Sequence, residues 1–297
     1  MPKVSVIIPT HNRAEFLRSA IASVLNQTFQ DFEIVIIDDA SKDHTQEVIA
    51  NFNDIRIKAI HNQSSKGAAG ARNIALINTS GEYIAFLDDD DEWLPEKLKI
   101  QTCLLDKSRP EVGGIYTYSF IKEKGSGRVL SICNHEIKDF SEENVITTSS
   151  VLLRRECFEK CGLFDENMPT GSDYDMWIRI SEKFSFEVIK DALVNYYTHE
   201  NRLSVNYEKK IRGLEILFEK HDNFFKRNYK EYSRMYLSLG IFYFYKGELQ
   251  KGRKALSKSI KMNPFEIRSY FNFLLSLLGA ERFKKLKKAK EKYWVSA

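Results

Sequence analysis

YIAFLDDDDEW, residues 83–93, poses the problem that the fold must solve. An apolar run, residues 83–87, ends abruptly in four consecutive aspartates, residues 88–91. An uninterrupted apolar run of this kind reads as a strand covered on both faces. Like charges at its end repel one another, and a carboxylate taken out of water is costly unless something compensates it. The run is therefore either a solvated acidic turn or the seat of a cation.

The segments before it supply the context. Residues 4–8 form a β-branched run bounded by Pro9, residues 32–37 form another that ends in Asp38 and Asp39, and residues 55–60 alternate. Between them, Phe16, Ala20, Ile21, Val24 and Leu25 recur at helical spacing, Asp43 or Thr45 starts a second helix, and residues 67–77 make a third. Strands alternating with helices imply βαβ units and a mostly parallel sheet with helices on both faces. In such sheets ligands bind beyond the carboxyl ends of the strands. Those ends carry residues 9–12, 38–41 and 88–91, so three strand ends present polar groups to one ligand.

The pattern loosens after about residue 110. GGIYTYSF (113–120) reads as a strand, KEKGSGR (122–128) as a hairpin turn, and residues 147–166 as a strand followed by a short helix. A helix is expected from near Ser172, and one or two strands over residues 188–197. From about Asn206 the chain reads as almost wholly helical. Leu239, Gly240, Tyr243, Gly247, Leu256 and Pro264 fall at the spacing of one tetratricopeptide unit, with Gly252 where that repeat usually has alanine. No second copy is present, so one helical hairpin packed on the preceding domain is expected rather than an array.

The 297 residues are 43% hydrophobic and 29% charged, ordinary for a globular chain long enough for one α/β domain and an appendage. The net charge of +4 is unevenly placed: residues 281–292 hold seven basic residues against Glu281 and Glu291, a net +5. Basic residues gathered in one tail argue against a nucleic-acid-binding face. Phe283, Leu286, Lys290, Tyr293 and Trp294 recur at three- and four-residue spacing, which predicts a basic amphipathic helix. It would either touch an anionic membrane surface or dock on its neighbour. The amino-terminal stretch lacks a signal-peptide pattern, and no run reaches the length of a membrane span. The expected location is the cytoplasm, with peripheral contact at the inner membrane face through residues 281–294. Cys103, Cys133, Cys157 and Cys161 are then expected to stay reduced.

The first strand is followed by PTHNRAEF, without the glycines of a dinucleotide fingerprint, and no Walker A sequence is present. A nucleoside diphosphate would be repelled by the aspartates unless a divalent cation bridged the two, and magnesium and manganese take oxygen ligands of this kind. VSVIIPTHNR (4–13), IVIIDDASKDHT (34–45), GAAGARNIAL (67–76), GEYIAFLDDDDEW (81–93) and GSDYDMWIRI (171–180) stand in the order seen in family 2 glycosyltransferases of the GT-A fold. The chain resembles that family over about residues 2–205, two thirds of its length.

The resemblance implies a Rossmann-like α/β catalytic domain over 1–205, with a nucleotide-sugar half to about 110 and an acceptor half beyond, plus a helical region over 206–297. Pro9, Thr10 and Asn12 would line the nucleotide pocket. Asp39 would accept the uracil N–H, and Arg72 would lie over the pyrophosphate or base. Asp88 would contact the ribose and Asp90 the metal, Mn2+ or Mg2+. Asp89 is assigned either to the nucleotide or, with Asp91, to shaping the turn. Trp93 would pack below the loop, with stacking against the acceptor as the alternative. Asp173 would be the base that deprotonates an acceptor hydroxyl, with Ser172 where many relatives have Glu. In YYTHENRLS (196–204), His199 reads as a metal or phosphate contact or as a structural histidine. The implied activity is inverting transfer of a sugar from a UDP-sugar to a saccharide or lipid-linked saccharide. The alternative is a nucleotide-sugar-binding or helical scaffold protein without transfer.

Overall fold

The computed structural model describes residues 1–123, 125–133, 146–198, 206–279 and 281–283. His199 and most of the basic tail lie outside them. Two units are distinguished: Met1–Phe140, Asn144–Asn167 and Ser172–Arg202 form the first, and Ser141–Glu143, Met168–Gly171 and Leu203–Ala297 the second.

The first unit runs β1 (Val4–Thr10), α1 (Ala14–Leu25), β2 (Phe32–Asp38), α2 (Thr45–Ala50), β3 (Ile57–His61), α3 (Gly67–Ile77), β4 (Tyr83–Phe86), β5 (Glu92–Trp93) and α4 (Lys97–Lys107). It continues through β6 (Val112–Glu123), β7 (Val129–Cys133), β8 (Val151–Arg154), α5 (Glu156–Cys161), α6 (Ser172–Ser181) and β9 (Ser185–Thr198). The strands form one sheet in the order β3-β2-β1-β4-β8-β6-β9-β5, with β7 on β6.

Strands β1 to β4 are parallel to one another, as the alternation of strands and helices requires. Beyond them the sheet is mixed. Strand β8 enters antiparallel between β4 and β6, β9 runs parallel to β6, and β5 lies antiparallel on β9. A hairpin turn too short for a crossover forces β7 to lie antiparallel to β6. The single strand β9 takes the place of the one or two strands expected over 188–197.

Each central strand feeds two cores. Val4, Val6, Ile8, Ile34 and Ile36 face one side with Leu17, Ile21 and Val24 of α1 and Leu98 of α4. Ile7, Val35, Ile37, Ile84 and Phe86 face the other with Ala71 and Ala75 of α3, Cys157 and Phe158 of α5, and Trp177 of α6. The apolar runs are unbroken because both faces are covered.

The second unit contains α7 (Tyr207–Phe225), α8 (Tyr229–Lys246), α9 (Leu249–Met262) and α10 (Ile267–Ser276). Asn206 and Asn228 cap α7 and α8, accepting from Lys209 N and Glu231 N. Gly247, at φ 90°, closes α8 in the left-handed conformation and turns the chain into α9. The glycine at 252 has a packing cause: a Cβ there would stand 2.3 Å from Phe244 Cε1 and 2.9 Å from Gly240 O. Phe283, the first residue of the apolar-leaning stripe, is fully buried, its ring centroid 4.8 Å from that of Phe244, as the docked reading of the stripe has it. Among the described residues no helix is long and apolar enough to cross a membrane.

Candidate active site

Strand register assembles the site. Ile7 pairs with Phe86 and Leu87 N donates to Ile7 O, so three residues further on Asp89 comes alongside Thr10. Thr10 Oγ1 donates to Asp89 Oδ2 at 2.7 Å. Arg13, just before α1, donates through one terminal nitrogen to Asp89 Oδ1 and Asp90 Oδ2, both at 2.9 Å. Arg72 of α3 donates to Asp88 Oδ1 at 2.7 Å. Two guanidiniums thus meet part of the charge concentrated at the end of β4. Asp89 and Asp90 are buried, and burial pushes Asp89 up to about 6 against the attraction of Arg13. Asp89 therefore sits as an internal tie between β4, β1 and α1.

Asp91 is buried too. Its Oδ2 accepts from Ser149 Oγ at 2.7 Å and its Oδ1 from Tyr197 N at 3.3 Å, while Ser149 Oγ accepts from Asp88 N at 3.1 Å. Asp88, Asp90 and Asp91 each offer an oxygen, and the three oxygens lie within 4.8 Å of one another. All are hard carboxylate donors, the set that Mg2+ and Mn2+ prefer, so the residues fit a divalent cation. Asp91, read above as shaping the turn, belongs to this group.

The end of β2 supplies a second network. Asp39 N donates to Thr10 O at 2.9 Å. The Asp39 carboxylate accepts from Asn62 Nδ2 (2.8 Å), Ser65 Oγ (2.7 Å), Lys66 N (2.8 Å) and Gly67 N (2.9 Å). Burial works upward on its pKa, but these donors outweigh it and hold the group below the usual carboxylate value. Lys66, the N-cap of α3, offers no capping group of its own, so Asp39 caps that helix from the neighbouring strand. Asp38 accepts from Ser41 N and pairs with His61 Nδ1 at 2.8 Å. Asn12 N donates to Ser41 Oγ, and Asn12 Oδ1 accepts from Lys42 N, locking the loop after β1 to the loop after β2. Both loops carry a non-glycine residue in the left-handed region, Asn12 at φ 54° and Ala40 at φ 64°. Pro9 is half-buried in β1 opposite Ile37.

Next to Arg72, Asn73 fixes a third segment. Its Nδ2 donates to Phe164 O and its Oδ1 accepts from Phe164 N, both at 2.9 Å. The Phe164 ring lies edge-on to Phe86 of β4 (5.4 Å) and to Trp177 of α6 (6.4 Å). That aromatic chain anchors α6, whose first turn carries half-buried Asp173. Asp175 is committed elsewhere: buried, it is bound by Arg179 Nε at 3.0 Å. The structure thus joins Thr10, Arg72 and residues 88–91 in one bonded set, places Asp39 and Asn12 in an adjoining one, and puts Asp173 on a separate element.

Sequence reasoning missed Arg13 and Ser149. Arg13 was visible as a basic residue one position past Asn12, at a strand end facing an acidic run. Ser149, in an unremarkable TTSSV, carried no signal. Trp93 is buried below the loop as expected, its Nε1 donating to Ser149 O at 2.8 Å. Under it lies fully buried Lys97, whose Nζ donates to Gln101 Oε1 at 2.6 Å and stands 4.0 Å from the Trp93 ring centroid. Burial drives this ammonium well below the ordinary lysine value.

A carboxylate cluster at the end of β4, with a parallel half-sheet before it and a mixed half-sheet after it, defines a GT-A-type architecture. The chain matches S. aureus TarS 1-349 in complex with UDP-GlcNAc at a TM-score of 0.62 and 18% identity, covering 97% of this chain and 92% of that one. It matches mannosyltransferase PcManGT from Pyrobaculum calidifontis, in complex with GDP-Man and Mn2+, at 0.61 and 17%, covering 93% and 80%. These likenesses show the fold, GT-A with additional carboxy-terminal helices. Residues 5–161 match the family described as Glycosyl transferase family 2. The UDP-Glc:alpha-D-GlcNAc-diphosphoundecaprenol beta-1,3-glucosyltransferase WfgD of Escherichia coli is 30% identical over 80% of this chain and 93% of its own. The GalNAc(5)-diNAcBac-PP-undecaprenol beta-1,3-glucosyltransferase of Campylobacter jejuni is 29% identical over 89% and 90%. An uncharacterized glycosyltransferase of Rickettsia felis is 35% identical over 60% of this chain, which spans only 31% of that relative. The chain belongs to glycosyl transferase family 2.

Proposed function

We propose that this chain is a metal-dependent, inverting glycosyltransferase that moves a sugar from a UDP-sugar to a hydroxyl of a saccharide or lipid-linked saccharide in surface-glycan synthesis. One observation carries the reading: the convergence of Asp88, Asp90 and Asp91 at the end of β4, beside two arginines. Family membership and relatives named for UDP-Glc and undecaprenol-linked substrates support the donor and acceptor classes.

Asp90, with Asp88 and Asp91, would hold Mn2+ or Mg2+. When bound, that cation supplies Lewis-acid stabilisation of the departing diphosphate. Arg72 serves the same charge from α3. Its side chain is buried and its Nε has no hydrogen-bond partner, so an anion at this point would satisfy it. Asp88, the more exposed of the cluster, meets the ribose. Pro9 and Thr10 of β1 and Asn12 of the loop after it form the floor. Asp39 acts by capping α3, the helix that carries Arg72, rather than by offering a vacant acceptor to the base. Asp173 takes the acceptor proton as the acceptor oxygen bonds to the anomeric carbon. The bond from that carbon to the diphosphate oxygen breaks with its electron pair leaving on the diphosphate, which inverts the centre. On this reading residues 1–205 carry donor and acceptor sites and residues 206–297 are accessory. The chain works in the cytoplasm on an acceptor presented at the inner leaflet.

Asp90→Ala and Asp173→Asn test this. Asp90→Ala is expected to weaken Mn2+-dependent UDP binding in calorimetry by at least about tenfold. Asp173→Asn is expected to keep binding and to lose transfer by about a hundredfold or more. Near-normal turnover of Asp173→Asn overturns the base, UDP binding indifferent to Mn2+ overturns the metal, and binding without turnover of any UDP-sugar favours the scaffold reading.

A further inference from the structure

Helix α10 packs Phe273 and Leu275 inward but leaves a second apolar stripe outward. Ser269, Asn272 and Ser276, spaced three and four apart, are buried. Ile267, Leu274 and Leu278, spaced seven and four, face solvent on the other side; Ile267 is 77% exposed and Leu274 63%. Phe265, just before the helix, is 88% exposed. A surface helix ordinarily turns its apolar stripe inward. Here hydrogen bonds fix the opposite orientation for this second stripe. Ser259 and Ser269 hydroxyls meet at 2.7 Å, and Arg253 donates to Ser276 Oγ at 3.1 Å and to Ser276 O at 2.8 Å. The apolar face is held outward by partners on α9, and contiguous exposed patches of this kind mark interaction sites.

Charge identifies the occupant. α9 carries Lys251, Arg253, Lys254, Lys258 and Lys261 and no acidic residue, with Lys251, Lys254 and Lys261 exposed. Residues 249–280 contain six basic residues and one acidic residue, a net +5, whereas the 248 residues before them carry −6. A second copy meeting this face would oppose like charges, whereas an anionic headgroup layer complements them. We infer that the outer face of α10 docks on an anionic phospholipid bilayer, with Phe265, Ile267 and Leu274 entering the headgroup boundary and the lysines of α9 meeting lipid phosphates. This surface rests on no assignment of donor or acceptor.

The test is flotation of the full chain with phosphatidylglycerol–phosphatidylcholine vesicles and with phosphatidylcholine vesicles, at low and high salt. Binding is expected to the anionic vesicles at low salt and to weaken as salt is raised. Ile267→Ser/Leu274→Ser is expected to lower partition by about tenfold or more, from two side chains losing an apolar environment. Lys254→Glu/Lys261→Glu is expected to lower it several-fold with less remaining salt dependence. Circular dichroism checks that the variants keep their helicity, and Leu274→Ser alone replaces the double variant if it does not. A parent chain that does not float with anionic vesicles overturns the proposal. So does a serine variant that floats like the parent, because the basic tail alone would then suffice. Concentration-dependent dimers in light scattering that the serine variant abolishes, without vesicle binding, make the face an interface between copies and likewise overturn it.

Discussion

Lys97 shows what a single charge does when the fold encloses it. Its ammonium has Gln101 and the Trp93 ring for company, and burial holds its pKa well below the ordinary lysine value. The unfolded chain binds this proton below about pH 10, while the folded chain binds it only below the depressed value, so folding stability falls as pH is lowered between the two. Lys97→Met should remove that slope and raise stability near pH 7 by about 1–3 kcal/mol, less what Gln101 loses as its partner disappears. Urea denaturation at about pH 7 and about pH 10 checks it; an unchanged slope would show that Lys97 stays charged when buried. Asp39 has the opposite sign. Held below the usual carboxylate value, it stabilises at neutral pH, and that contribution is lost as pH falls below about 4. Asp39→Asn turns an amide donor toward Ser65, Lys66 or Gly67 and should cost about 1–3 kcal/mol at pH 7, with a flatter acid limb. Residues of this kind were half legible. The aspartates and Arg72 stood out through their order along the chain. The capping role of Asp39 and the bridging role of Arg13 depend on partners 26 to 28 and 76 to 77 positions away, and local pattern does not report those pairings.

At the scale of elements, periodicity was a good guide wherever a segment was covered by its own neighbours. Strands β1 to β4 and helices α1 to α3 follow from apolar runs and helical spacing, because the parallel half of the sheet is built from consecutive units. The mixed half is not built that way. Strand β8 slots between β4 and β6, and the two-residue β5 joins β9 from about a hundred positions away, its Glu92 opposite Asn195, so no local signal marks either placement. The α8–α9 hairpin illustrates a departure from a repeat pattern whose reason lies in packing. Gly252 lets the Phe244 ring lie against the α9 backbone. Gly252→Ala, favourable by helix propensity alone, should therefore destabilise by about 1–3 kcal/mol through overpacking. Thermal denaturation of the purified variant decides; a melting temperature at or above the parent's would mean that Phe244 moves aside without cost.

For the whole molecule the decisive property is linkage between nucleotide and metal. If Asp88, Asp90 and Asp91 hold a cation that a diphosphate also contacts, each ligand must raise the affinity for the other by the same factor. Ligands that bind only the folded chain stabilise it by about 2.7 kcal/mol at a hundred times the dissociation constant. At about 2.1 cal/mol/K of unfolding entropy per residue, that corresponds to a rise in melting temperature of about 4–5 °C for a chain of this size. UDP with Mn2+ should therefore raise the midpoint by more than the sum of UDP alone and Mn2+ alone. Asp90→Ala should make the two shifts merely additive. Arg72→Ala should reduce the UDP shift and leave the Mn2+ shift nearly intact, because the guanidinium serves the anion. The base supplies the second comparison. TarS in complex with UDP-GlcNAc and PcManGT in complex with GDP-Man share this fold, so the fold leaves the nucleotide open. A larger shift with GDP and Mn2+ than with UDP and Mn2+ would reassign the donor to the guanine series while keeping the carboxylate site. Equal and additive shifts with either nucleotide would remove the bridging cation from the mechanism altogether.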